Sequence, residues 1–171
     1  MLDSNRESLT PFVQQSLTHT HMTQRILFVC LGNICRSPSA QAVLRALRPD
    51  WQVDSAGTSD WHVGEAPYAP MQAAARARGI VMSDLRARQV DAADFDRFNL
   101  ILAMDAGNLA RIEALRPAGN DTPVHLFTDY APRGQARTRA DHVPDPYYTR
   151  DFDGCLDLIE TCSKGLIESQ G

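Results

Sequence analysis

Ile26-Leu27-Phe28-Val29-Cys30-Leu31-Gly32-Asn33-Ile34-Cys35-Arg36-Ser37-Pro38-Ser39-Ala40 is the stretch that decides the fold. Its first four residues are continuously apolar, which predicts a strand buried on both faces, starting at Arg25 and ending at Val29. From Ser37 to Leu47 the composition is helical, with Pro38 in the first turn, where its missing N–H is no loss, and a stop ahead of Pro49. A cysteine therefore leaves the end of a strand, a short loop follows, and Arg36 and Ser37 open a helix. Backbone N–H groups gathered at a helix N-terminus favour a tetrahedral anion. The same field favours a thiolate, hence a sulfur nucleophile. Cys30 and Arg36 stand as C-x5-R. The guanidinium offers a planar fork to two phosphate oxygens, which lysine cannot do. Gly32 lets the backbone approach an oxyanion, and Asn33 tolerates the positive φ of an inward curl. Ser37 is placed to donate to the cysteine sulfur. The pattern points to phosphoryl transfer through a phosphocysteine.

Outward from this stretch, apolar runs alternate with helical patterns. Further strands are predicted at Trp51–Ser55, Phe98–Met104 and Val124–Phe127. Helices are predicted from Pro70 to Arg78 with Gly79 as the stop, from an Asp105 cap to Leu115 ahead of Pro117, and from Asp153 to Ile167. This alternation predicts an α/β fold, a three-layer domain with a four-stranded parallel sheet flanked by helices. Ligands of such sheets sit at the carboxyl ends of the strands, where Cys30 lies. Ala131 to His142 reads as a long polar surface loop leading to Asp145.

The chain has 171 residues and a net charge of −4, so one domain is expected and bulk charge does not favour nucleic acid or an anionic membrane. No apolar run approaches the roughly 20 residues of a membrane helix. Residues 1–24 read as an N-terminal extension, a mobile tail or an upstream start before Met22, with a short helix opening at Thr10-Pro11. Residues 25–171 read as the functional domain. Cysteines at 30, 35, 155 and 162 form no C-x-x-C and match no zinc spacing. No secretory signal precedes them, so free thiols and a cytoplasmic location are expected. Cys155 and Cys162 read as small apolar core residues.

Phosphocysteine chemistry needs an acid for the leaving oxygen. Val143-Pro144-Asp145-Pro146-Tyr147-Tyr148 supplies one in Asp145, held extended by Pro146, beside two tyrosines able to wall an aromatic slot. Asp141 is the next candidate. His62 and His142 read as surface histidines.

These residues resemble the low-molecular-weight protein tyrosine phosphatases. Cys30 to Pro38 matches that family's phosphate-binding loop, and Asp145 to Tyr148 its general-acid motif. Asp54-Ser55-Ala56-Gly57-Thr58, Trp61-His62-Val63-Gly64, Ala87-Arg88-Gln89 and Met104 to Leu109 are similar to stretches between them. The resemblance implies the family's flavodoxin-like fold and a two-step hydrolysis that uses no metal and no cofactor. Cys30 would be the nucleophile, Arg36 the clamp and Asp145 the acid and then the base. Leu31, Gly32, Asn33, Ile34, Cys35 and Ser37 would form or tune the phosphate loop, and Trp61, Tyr147 and Tyr148 the aromatic walls. A core position for Trp61 is the other reading.

The implied partner is a tyrosine-phosphorylated protein, a cognate tyrosine kinase being one such, with neither nucleic acid nor membrane. Leu85 stands where many members carry a histidine that braces the loop asparagine, which puts the loop's rigidity in question. Cys35 either fills space under the loop or forms a reversible disulfide with Cys30. Related arsenate reductases need two more downstream cysteines, and none lies between Arg36 and Gly154. Protein arginine phosphatases carry threonine where this chain has Ile34. A phosphopeptide-binding module is the non-enzymatic alternative.

Overall fold

The computed structural model describes residues 23–132 and 141–171. The predicted helix at Thr10 and most of the loop predicted over 131–142 lie outside the described residues. Four strands, β1 (Arg25–Cys30), β2 (Gln52–Gly57), β3 (Leu100–Ala103) and β4 (Val124–Leu126), form one parallel sheet in the order β2-β1-β3-β4. The α/β architecture expected from the alternation is the one observed.

Period two in the central strands divides the interior into two cores. Ile26, Phe28, Leu100 and Leu102 face the larger one, with residues of α1 (Arg36–Leu47) and α6 (Phe152–Gln170). Leu27, Val29, Ile101 and Ala103 face the smaller one, with Ile112 of α4 (Ala106–Glu113) and Phe95 of α3 (Asp94–Arg97). Helices thus cover both sheet faces, which is why Ile26–Val29 carries no polar alternation. α2 (Ala69–Ala77) adds Met71 and Ala75 to the larger core. Cys155 and Cys162 are buried there, as their spacing suggested.

The chain passes from β1 to β2 on one side, then crosses to β3 on the other. β1 is therefore the topological switch point, and the loop after Cys30 opens at the sheet's carboxyl edge beside it. Asp105 caps α4 through Asn108 N, and Asp151 caps α6 through Gly154 N. At Gly165 of α6 a Cβ would collide with the Tyr130 carbonyl oxygen, so this glycine lets α6 lie on the 3-10 turn Phe127–Tyr130.

Three single turns differ from expectation: α3, the 3-10 turn, and α5 (Pro146–Thr149). Each is four residues, too short to show a 3.6-residue period. β4 ends at Leu126 because Phe127 enters the 3-10 turn. No helix among the described residues is long and apolar enough to cross a membrane.

Candidate active site

The loop after β1 curls around its own cysteine. Asn33 adopts φ +56°, and its backbone N–H donates to Cys30 Sγ at 3.2 Å. Ser37 Oγ lies 2.9 Å from the same sulfur. Asn33 Nδ2 donates to Ser37 Oγ at 2.8 Å and to Ser55 Oγ at 2.9 Å, while Oδ1 accepts the Arg88 N–H at 3.0 Å. Ser55 in turn donates to Gln41 Oε1 at 2.7 Å. Because Ser37 Oγ already accepts from Asn33, its own proton is free for the sulfur, which is nearer than the Ala56 carbonyl at 3.4 Å. A thiolate at Cys30 is therefore met by two donors.

This network answers the question raised by Leu85. That residue is half-buried and packs against the larger core. The brace on Asn33 comes instead from Ser55, Ser37 and the Arg88 backbone. Arg88 is anchored by its guanidinium, which donates to Asp54 and to the fully buried Asp94, each at 3.0 Å. A Cβ at Gly57 would sit 2.8 Å from the Leu31 carbonyl oxygen, and Gly57 is paired with Cys30 in the sheet register. Only a residue without a side chain lets the loop lie this close on β2.

Arg36 is 4% exposed and reaches up from the first turn of α1. Nη1 donates to Asp105 Oδ2 at 2.9 Å and to the Val143 carbonyl at 3.2 Å, while Nη2 makes a longer contact of 3.5 Å with Asp145 Oδ2. Burial works against its charge, but Cys30, Asp105 and Asp145 outweigh it and hold the guanidinium above its ordinary pKa. Of its five donors, Nε–H and one Nη2–H have no protein acceptor among the described residues. Nε and Nη2 are neighbours in the guanidinium plane, as a bidentate phosphate clamp requires.

Asp145 has the extended conformation expected before Pro146, with φ −79° and ψ 109°, and caps α5 by accepting the Tyr147 N–H at 3.1 Å. The Val143 N–H donates to Met104 O at 2.8 Å, which ties this loop to the end of β3. Asp141, the second candidate acid, has a 93% exposed side chain paired with His142 and does not line the pocket.

Cys30, Leu31, Gly32, Ile34, Cys35, Arg36 and Asp145 line a pocket of about 230 Å³ with Trp61, Tyr147 and Tyr148. Asn33 and Ser37 lie beneath it, buried. Trp61 is 68% exposed, which corrects the core alternative and makes it a wall. His62 also lines the pocket, contrary to its reading as a surface residue. Its ring packs over Gly32 and hydrogen-bonds Glu65 Oε2 at 2.7 Å. His142 is on the surface, as read.

Residues missed at the sequence level are Asp105, which both caps α4 and holds Arg36, and Ser55, Gly57 and Arg88. Tyr68 is another: its N–H donates to Ile34 O at 2.8 Å and its ring lies 5.4 Å from that of Tyr147. Burial pushes the Cys35 thiol up, with Asp145 and Cys30 adding to it. Burial likewise pushes Cys155 and Cys162 up to about 12.

A buried thiol held by a loop N–H and a serine hydroxyl, an arginine with donors to spare for an oxyanion and a carboxylate at the rim define a cysteine-dependent phosphoryl-transfer site. The sequence profile described as "Low molecular weight phosphotyrosine protein phosphatase" matches residues 25–170. The low molecular weight protein-tyrosine-phosphatase YfkJ of Bacillus subtilis is 39% identical over 150 residues, 84% of this chain and 94% of that protein. The crystal structure of YfkJ superposes with a TM-score of 0.79 at 37% identity, covering 86% of this chain and 94% of the other. The human low molecular weight phosphotyrosine protein phosphatase is 40% identical over 156 residues, 85% of this chain and 95% of that protein. A structure titled as a drosophila arginine phosphatase has a TM-score of 0.78 at 30% identity, covering 85% and 97%. The chain belongs to the low molecular weight phosphotyrosine protein phosphatase family.

Proposed function

We propose that the protein hydrolyses protein phosphotyrosine in two steps through a phosphocysteine. The observation that carries this is the convergence of Cys30, the open edge of Arg36 and Asp145 on one aromatic-walled pocket. The Cys30 sulfur attacks phosphorus, the S–P bond forms as the P–O bond to the tyrosine breaks, and Asp145 gives its proton to the departing phenolate. Water then loses a proton to Asp145 and attacks phosphorus. The S–P bond breaks and inorganic phosphate leaves. Arg36 and the loop amides hold the equatorial oxygens throughout, where charge develops in the transition state. Asn33 and Ser37 keep the loop curled and place two donors on the sulfur. Leu31, Gly32, Ile34 and Cys35 supply the cradle.

Ile34 presents an apolar branched side chain to the pocket, and Trp61, Tyr147 and Tyr148 present rings. Both suit a flat aromatic ester better than a guanidino phosphate. Turnover of phosphotyrosine and phosphoarginine peptides of one sequence tests this: kcat/KM is expected to be higher for phosphotyrosine, and the reverse order contradicts it.

The substrate is a tyrosine-phosphorylated protein, a cognate tyrosine kinase being one candidate, met in the cytoplasm. Residues 25–171 carry the activity, with 1–24 an extension; the profile match beginning at residue 25 supports that boundary. Cys35, buried in the same loop, protects Cys30 by forming a disulfide with it on oxidation. Peroxide is expected to inactivate the enzyme and dithiothreitol to restore it, whereas Cys35→Ser should lose activity irreversibly. Identical irreversible loss in the wild type refutes the protective role.

A further inference from the structure

Beyond Tyr148 the catalytic pocket runs into a second groove, of about 430 Å³. Leu31, Arg36, Asp145 and Tyr148 line both. The far side of the groove is the face of α4 that carries Gly107, Asn108 and Arg111, with His142 at its edge. A polypeptide that places a phosphotyrosine over Cys30 has to leave the pocket across its rim, and this groove is an exit continuous with it.

The charges along the groove are not equivalent. The carboxylates of Asp105 and Asp145 both accept from Arg36. Asp105 also caps α4, and His142 hydrogen-bonds Asp141 at 2.6 Å. The Arg111 side chain is exposed and, among the described residues, has neither a hydrogen bond nor an ion pair. A guanidinium without an acceptor, facing a groove that opens from a phosphate site, matches an anion brought by the substrate.

We propose that this groove is a specificity subsite for a second anionic group on the substrate polypeptide, paired with Arg111. The inference rests on the phosphatase reading and narrows its substrate class to phosphotyrosines with an anionic neighbour. The anion is a flanking carboxylate or the phosphate of a second phosphotyrosine, which present the same acceptor chemistry to a guanidinium. Because the pair is solvent-exposed, its contribution is that of a surface ion pair, a change in kcat/KM of up to about fivefold. It should also weaken as salt is raised.

The test uses the full chain and three phosphotyrosine peptides: one with alanine flanks, one with glutamate on both sides, and one with a neighbouring second phosphotyrosine. Wild-type enzyme is expected to favour one or both anionic peptides over the alanine peptide. A gain with glutamate assigns the site to carboxylates, and a gain restricted to the second phosphotyrosine assigns it to phosphate. Arg111→Ala should remove the preference, Arg111→Lys should keep part of it, and Arg111→Glu should reverse it. All three should hydrolyse p-nitrophenyl phosphate at the wild-type rate. A purely structural role for Arg111, as a cation in the last turn of α4, would shift the melting temperature and leave the peptide ranking unchanged. No preference in the wild type, or an equal preference in Arg111→Ala, overturns the subsite while leaving the phosphatase reading intact. Failure to hydrolyse any of the substrates overturns that reading itself.

Discussion

Cys30→Ser is expected to lower kcat on p-nitrophenyl phosphate on the order of 10⁴-fold or more, the scale seen when an enzyme loses its nucleophile. The substitution changes one atom at a position that is 3% exposed. The donors around it, Asn33 N–H and Ser37 Oγ, stay in place. Those donors are matched to a large sulfur, and a hydroxyl is a weaker acid and a poorer nucleophile than a thiol. The phosphate cradle is not altered, so inorganic phosphate should still protect the variant against thermal unfolding as it protects the wild type. Loss of turnover with retained phosphate binding separates chemistry from folding. Activity within about tenfold of wild type would mean that another group attacks phosphorus.

Asp145→Ala is the second large effect. A positioned general acid contributes roughly 10² to 10⁴ in rate. The expected loss follows the leaving group: large for phenyl phosphate, whose phenolate needs the proton, and small in the first step for p-nitrophenyl phosphate, whose phenolate does not. Arg36 keeps Asp105 and the Val143 carbonyl as partners in this variant, so the clamp should hold its position. A substrate-binding role alone would change both esters equally. Full activity on phenyl phosphate would remove Asp145 from the role of acid.

The layers of the fold were legible because buried parallel strands carry a distinctive signal. Ile26–Val29 and Leu100–Ala103 are apolar without alternation, and both are covered on two faces. The nucleophile, clamp and acid were legible because each lies in a stretch whose local geometry is forced: strand to loop, loop to helix N-terminus, and a carboxylate held before proline. Asp105 shows where such reading stops. Its short-range role as a helix cap was visible, but its bond to Arg36 joins residues 69 positions apart. Ser55, Gly57 and Arg88 lie in stretches that resemble the family's, but their role in bracing the loop follows only from β2 lying beside β1. Leu85 shows the converse. One altered residue suggested a weakened loop, while the fold supplies other donors and acceptors to the same asparagine. His62 was misplaced for a related reason: a polar residue in a turn reads as solvated until the loop it covers is seen.

The most direct measurement is mass spectrometry of enzyme quenched during turnover of a phosphotyrosine peptide. A phosphoryl adduct is expected on Cys30 within the tryptic peptide 26–36, accumulating further in Asp145→Asn with p-nitrophenyl phosphate, where breakdown lacks its base. Turnover with no adduct on Cys30 in either protein, or an adduct on another residue, would contradict the phosphocysteine route.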